Sequence, residues 1–212
     1  MIVSRNEIES LALKAARGAG MSWGIAEEAS LSAGWLAGHG MTWAETLTSV
    51  LRQARTTSPP HISGNVVAPS CADALLCPIM TGALLSDLGS KTGIDEVRDV
   101  LEPLWLLPSL ARWVTPDCAV IVTWGQSRIQ LSVGGVLGAS VASEGTKLAS
   151  RVTISMEPID RSEPRALVAS STGYVVRDVD WRELKDFESK TYVPASEHSR
   201  RTGAGAGLRD TD

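Results

Sequence analysis

The apolar residues of this chain change period at Cys118, and that change constrains the fold more than any other feature. Upstream they recur every three or four residues, the spacing that lines one face of a helix. From Ala119-Val120-Ile121-Val122-Thr123-Trp124 onward they alternate. Ile129, Leu131 and Val133 point to one face of a strand while Arg128, Gln130 and Ser132 point to the other, and Gly125-Gln126 supplies a hairpin turn. Val152, Ile154 and Met156 repeat the pattern, and residues 166–170 and 174–179 offer two more strands. With no long helical crossover between them, these strands are expected to pair antiparallel. A last helix is expected to start near Asp180, with Leu184 and Phe187 turned inward. The fold class is therefore α+β, an N-terminal helical lobe packed on a C-terminal antiparallel sheet. Its expected parts are residues 1–114, mainly helical, residues 115–190, a sheet lobe with a closing helix, and residues 191–212, a terminal arm.

The helical half is punctuated by its own signals. Ser4-x-x-Glu7 is a capping box, Ile8, Leu11, Ala12 and Ala15 follow at helical spacing, and Gly18-Ala19-Gly20 stops the helix after Lys14 and Arg17. A second helix is expected over residues 22–38, with Ile25, Ala29 and Leu36 inward. Thr42-x-x-Glu45 reads as another capping box, opening a third helix through Leu47, Val50 and Leu51 that ends before Pro59-Pro60. Residues 79–88 and 93–114 read as further helix, the second with Val97, Val100 and Leu101. The dense run Leu104-Trp105-Leu106-Leu107-Pro108 is too apolar for a surface helix, and is expected beneath a sheet or against a partner. Residues 64–70 and 134–145 are the expected flexible spans.

Composition bounds the function. At 212 residues, 43% hydrophobic and 21% charged, the chain can bury a sizeable core. A net charge of −4 argues against nucleic acid as partner, which calls for a basic face. No apolar run approaches the roughly 20 residues that cross a bilayer, and Glu7 interrupts any signal-like stretch. A cytoplasmic protein with no membrane partner is the expectation. Cys71, Cys77 and Cys118 keep no ligand spacing and read as buried thiols. No metal is expected, and no motif names a cofactor. Seven tryptophans against one phenylalanine are dispersed as core and edge packing.

Two segments can carry chemistry. In the terminal arm, Ser196 and Ser199 offer hydroxyls, Arg200 a bidentate fork beside Arg201, and Gly203, Gly205 and Gly207 a backbone that approaches a ligand closely. Such a segment suits an anion. The same letters at a chain end also describe a structural, partner-bound or frayed tail. Arg17-Gly18-Ala19-Gly20-Met21-Ser22-Trp23 is the second segment, with Arg17, Trp23 and Glu27 as a site wall leading into a helix N-terminus. Glu27-Glu28 there equally describe a solvated helix start. Neither a nucleotide P-loop nor a dinucleotide fingerprint is present, the serines lack a nucleophile elbow, and His39 reads as a residue near a helix end.

Three segments carry a resemblance: Ser4-Arg5-Asn6-Glu7-Ile8-Glu9, Lys14-Ala15-Ala16-Arg17-Gly18-Ala19-Gly20 and Trp23-Gly24-Ile25-Ala26-Glu27-Glu28-Ala29, together with residues 191–212. In these the chain resembles an uncharacterised bacterial family, a domain of unknown function, and the resemblance implies no reaction. The helical opening is also similar to the start of the malate and lactate dehydrogenase family that lacks a Rossmann fold, whose greater length and further motifs this chain does not show. The expected function is a cytoplasmic protein of small-molecule metabolism that binds an organic acid or a phosphorylated metabolite through Ser196, Ser199 and Arg200. The alternative is a non-catalytic accessory subunit, with the arm and residues 104–107 meeting a protein partner or a second copy.

Overall fold

The computed structural model describes residues 1–133, 135–140, 147–159 and 173–192. Strand β1 (Ile2–Val3) leads into helices α1 (Arg5–Gly18), α2 (Trp23–Gly38) and α3 (Ala44–Gln53). A hairpin of β2 (Pro60–Ser63) and β3 (Val66–Pro69) precedes α4 (Pro78–Leu88), β4 (Glu96–Leu101) and the short α5 (Leu107–Leu110). Strands β5 (Cys118–Trp124), β6 (Ser127–Ser132), β7 (Gly135–Ser140) and β8 (Leu148–Pro158) follow, and β9 (Tyr174–Val175) and α6 (Asp178–Ser189) close the described fold. The architecture is α+β, with the helices at the N-terminus packed on the sheet.

Seven strands form one sheet in the order β2-β3-β4-β8-β5-β6-β7. Its centre is the long β8, where Val152 lies opposite Val97 and Ile154 opposite Val122. Pairing is antiparallel except between β3 and β4, which run parallel with Val66 beside Glu96. The β5–β6 hairpin forms as its alternation requires, with Ile129 and Leu131 fully buried.

Four strands depart from the expected pattern. Residues 64–70, expected to be flexible, contain β3, and the turn before it holds because Gly64 accepts a φ of +61°. Part of the span expected to be mobile, residues 134–145, is the edge strand β7. Residues 96–101, expected within a helix, are strand β4. Val97 and Val100 mimic helical spacing, yet the strand buries both, helped by a left-handed Asp99 (φ +49°) between them. The expected strand over 174–179 shrinks to β9, which pairs with β1 outside the main sheet, so that α6 begins at Asp178.

The helices obey most of their sequence signals. The Ser4 hydroxyl accepts from the Glu7 amide at 3.3 Å, and the Glu7 carboxylate accepts from the Ser4 amide at 2.7 Å. Ser22 precedes α2 as expected. The second capping box does not form: α3 starts after Trp43, and Glu45 turns instead to Arg177 of the α6 entry, 2.6 Å away. An interhelical ion pair has taken the residue that the cap would have used.

Two apolar clusters make the core. One lies among α1, α2, α3 and α6, the other between the sheet and α4–α5, and Trp35, Met41 and Leu104 touch both. The run 104–107 is the joint between them, sending Trp105 to the helical cluster and Leu106 and Leu107 to the sheet cluster. Trp105, Leu106 and Leu107 are buried and Leu104 is half-buried. The thiols are free, and Cys77 is buried as expected, whereas Cys71 is exposed and Cys118 half-buried.

Close approach of α6 to α1 depends on Gly18. A Cβ there would overlap the carbonyl oxygen of Phe187, a backbone atom that cannot swing aside. Helix propensity alone would favour alanine by about 1 kcal/mol. Overpacking against backbone outweighs it, so Gly18→Ala is expected to destabilise the fold by about 1–3 kcal/mol. Urea unfolding at neutral pH reads this directly, and an unshifted midpoint would show that the two helices do not meet there.

Candidate functional site: a cleft between α3 and α6

Helix α3 carries two opposite faces. Leu47, Val50 and Leu51 go to the core, while Thr42, Glu45, Thr46, Ser49 and Arg52 recur at three- and four-residue intervals on the other side. The first turns of α6 face that polar stripe with Arg177, Asp180 and Glu183, and a cleft of about 870 Å³ opens between the helices. Glu102 and Lys147 also line it. A second chamber of about 440 Å³ adjoins it, sharing Thr42, Glu45, Arg177 and Asp180, and is walled by Met41, Trp43 and Tyr174 among others. Both volumes suit a small molecule.

Ion pairs tie the two walls together. The Arg177 guanidinium donates to both Asp180 carboxylate oxygens, at 2.6 and 2.8 Å, and to Glu45 at 2.6 Å. Arg52 donates to Glu183 at 2.8 Å. These carboxylates and hydrogen bonds raise the Arg177 pKa further, so its charge is permanent. Both arginines thus serve first as clasps between helices.

Glu102 is the unusual residue of the cleft. It is 4% exposed and stands at the junction of β4 and the turn Pro103–Leu106, with its backbone left-handed at φ 44°, ψ 64°. Non-glycine residues seldom accept that conformation, and where they do the surrounding structure imposes it. Here the Glu102 amide donates to the Lys147 carbonyl at 2.7 Å and its own carbonyl accepts from the Trp105 amide at 3.0 Å. Burial pushes the carboxyl pKa up, the Ser49 hydroxyl and the Lys147 ammonium draw it partly back, and Glu45 adds to the rise. A buried acid whose pKa is pushed above the ordinary carboxylate range, beside hydroxyls and a cation, is chemically equipped to hold a proton that an exposed carboxyl would give up.

The residues singled out in the sequence lie elsewhere. Arg17 and Trp23 do come together, with the Arg17 guanidinium 5.0 Å from the indole centroid and donating to the Met21 carbonyl, which locks the turn between α1 and α2. Glu27 is exposed one turn along α2. None of these three is among the residues lining the cleft. Ser196, Ser199, Arg200, Gly203 and Gly205 lie outside the described residues. His39 follows α2 and stacks on Trp35 at 3.9 Å, its Nδ1 2.7 Å from the Trp35 carbonyl oxygen.

The described start of the terminal arm is held by Glu188. This carboxylate, 2% exposed, meets Lys185 at 2.6 Å, Lys14 of α1 at 3.1 Å and the Tyr192 hydroxyl at 2.8 Å. Burial raises its pKa, but hydrogen bonds from Lys185, Tyr192 and Lys14 outweigh that and bring it down to about 2. A carboxyl whose folded pKa is depressed stabilises the fold above its unfolded value near 4.5, and that contribution disappears as pH falls toward 2. Screening of the two half-exposed lysines reduces its size to about 2 kcal/mol. Glu188→Gln is therefore expected to lower stability by about that amount at pH 7 and by progressively less between pH 4.5 and 2. Urea titrations of both proteins across that range check it, and a difference that stays constant with pH would contradict it.

Among the described residues, no group of three or more His, Cys, Asp or Glu is placed to hold a metal ion, and no helix is long and apolar enough to cross a membrane. No curated protein and no solved structure matches the chain. One family does match. Residues 3–77, which hold the α3 wall of the cleft but not Glu102, match the family described as Protein of unknown function (DUF3726), so that the chain carries in this N-terminal span a domain of unknown function.

Proposed function

We propose that the protein binds a small organic acid in the α3–α6 cleft, with Glu102 as the group that exchanges a proton with it. The observation that carries this reading is the buried, left-handed Glu102 carboxyl on the cleft lining, beside Ser49 and Lys147. Charge favours a carboxylate over a phosphorylated metabolite. Arg52 and Arg177 already face carboxylates, whereas Lys147 stands exposed at the cleft and can meet one negative charge without breaking a clasp. A phosphate dianion would ask one arginine to leave its partner. The Ser196, Ser199 and Arg200 segment remains a proposed second source of donors for the same anion, and the cytoplasm its proposed setting.

Protonation sets the pH dependence. Below its raised pKa the Glu102 O–H donates to the ligand carboxylate, while above it two anions face each other in a buried site. Propanoate binding, followed by ligand-observed NMR over a pH series, is expected to weaken about tenfold as pH rises through the raised Glu102 pKa, roughly the effect of one charge-assisted hydrogen bond. Glu102→Gln should flatten that profile, and Lys147→Ala should weaken binding across the whole series. Failure of both propanoate and inorganic phosphate to bind, or an unchanged profile in Glu102→Gln, would sink the proposal.

A second reading, the non-catalytic accessory subunit, has one observation in its favour. Ile2 and Val175 face each other across β1–β9 at 74% and 83% exposure, with Val179 exposed nearby, an apolar edge that a partner protein or a second copy can cover. Sedimentation of the wild type against Val175→Lys tests the homo-oligomeric form of it.

A further inference from the structure

We infer that the ligand is an amphipathic acid, its carboxylate beside Glu102 and Lys147 and an apolar or aromatic substituent in the adjoining chamber of Met41, Trp43 and Tyr174. This rests on the reading of the Glu102 cleft as the binding site and names the class of acid it takes. Two chambers that share four lining residues adjoin one another and differ in chemistry. The larger presents hydroxyls of Thr42, Thr46 and Ser49 with Glu102 and Lys147; the smaller presents Met41, Trp43, Tyr174 and Val176. Trp43 and Val176 are nearly inaccessible where they belong to the helical core, so the wall of the small chamber is the edge of that core rather than a mobile surface.

The seam between the chambers adds direction. Arg177, Glu45 and Asp180 line both, and their ion pairs hold the α3 wall against the α6 entry at that point. An apolar group gains little beside three satisfied charges, and a second carboxylate would face Glu45 and Asp180. The site therefore favours a monocarboxylate whose apolar part passes the seam, over a dicarboxylate or a polar chain of equal length.

Affinities of propanoate, 3-phenylpropanoate and succinate for the full chain, read by ligand-observed NMR at pH 5, test the inference. The expected order places 3-phenylpropanoate at least about tenfold tighter than propanoate, the gain from moving a phenyl group out of water into a partly apolar chamber, with succinate no tighter than propanoate. Intermolecular Overhauser contacts should join the phenyl protons to the Tyr174 ring, and Tyr174→Ala should cut the phenyl advantage severalfold. Equal affinity for propanoate and 3-phenylpropanoate, with propanoate still showing its Glu102-dependent pH profile, overturns the inference and leaves the binding reading standing. Tighter binding of succinate than of 3-phenylpropanoate overturns it in the same way. If neither monocarboxylate binds, both fall together.

Discussion

Trp105→Ala is expected to remove about 3–5 kcal/mol of stability, the usual cost of deleting a large buried aromatic side chain together with the cavity it leaves. Trp105 is fully enclosed, and its indole N–H donates to the Thr46 hydroxyl at 2.8 Å. Its neighbours Leu106 and Leu107 belong to the other apolar cluster, so the cavity opens at the joint between helices and sheet. Against a total stability of about 5–15 kcal/mol, the loss is roughly a fifth or more of what holds the fold. The thermal midpoint should fall by about 10 °C, and far-UV and near-UV circular dichroism should report the same lowered transition. Trp23→Ala is the matched contrast. Trp23 is largely exposed and contributes chiefly its contact with Arg17, so its loss should cost no more than about 1 kcal/mol. Equal effects of the two substitutions would contradict the division of the core described above. Trp105→Ala should also loosen the cleft, because Thr46 lines it and loses its indole donor.

The sequence was legible where one local pattern had one structural meaning. Ser4 and Glu7 cap α1, and the alternation after Cys118 gives β5 and β6 with their turn in place. It was ambiguous where spacing served two periods. Val97 and Val100, three apart, satisfy a helix, and the paired Ala149 and Val152 of β8 show the same spacing inside a strand, all four buried. Strand β3 is illegible for a different reason: Val66-Val67-Ala68 between Gly64 and Pro69 is too short to announce itself and is fixed by pairing with β2 and β4. Long-range competition displaced the second capping box: Glu45 has Arg177, 132 residues away in sequence, as an alternative partner.

The site was harder to read because its members come from four separate stretches of chain, α3, Glu102, Lys147 and the α6 entry. Arg17, Trp23 and Glu27 have the local composition of an anion loop, yet the structure uses Arg17 and Trp23 to pin a turn. One signal was available. From Val100 to Ala111 the chain carries a single charged residue, Glu102, immediately before a proline and inside a run that must be buried. A lone carboxyl in such a run either finds partners or holds its proton, and both point to a special environment. Composition could not supply its left-handed backbone, because glycine, the usual marker of that conformation, is absent there.

Glu102→Gly separates what Glu102 costs from what it does. Glycine accepts the left-handed backbone without the roughly 1–2 kcal/mol that a Cβ costs there, and the substitution also removes a carboxyl from a buried position. Against this stand the greater entropy of glycine in the unfolded chain, about 0.5–1 kcal/mol, and the Ser49 hydroxyl left without its partner. The balance is a protein as stable as the wild type or more stable by about 1 kcal/mol, with propanoate affinity reduced at least tenfold. Glu102→Ala loses the same carboxyl but keeps the Cβ. It should lose binding to the same degree and unfold at lower urea than Glu102→Gly, by up to about 1 kcal/mol, the difference being the backbone strain of the Cβ less the unfolded-chain entropy of glycine. If alanine proves the more stable of the two, residue 102 is not held in the left-handed region. If both variants bind propanoate as well as the wild type does, the Glu102 carboxyl is not the group that meets the ligand.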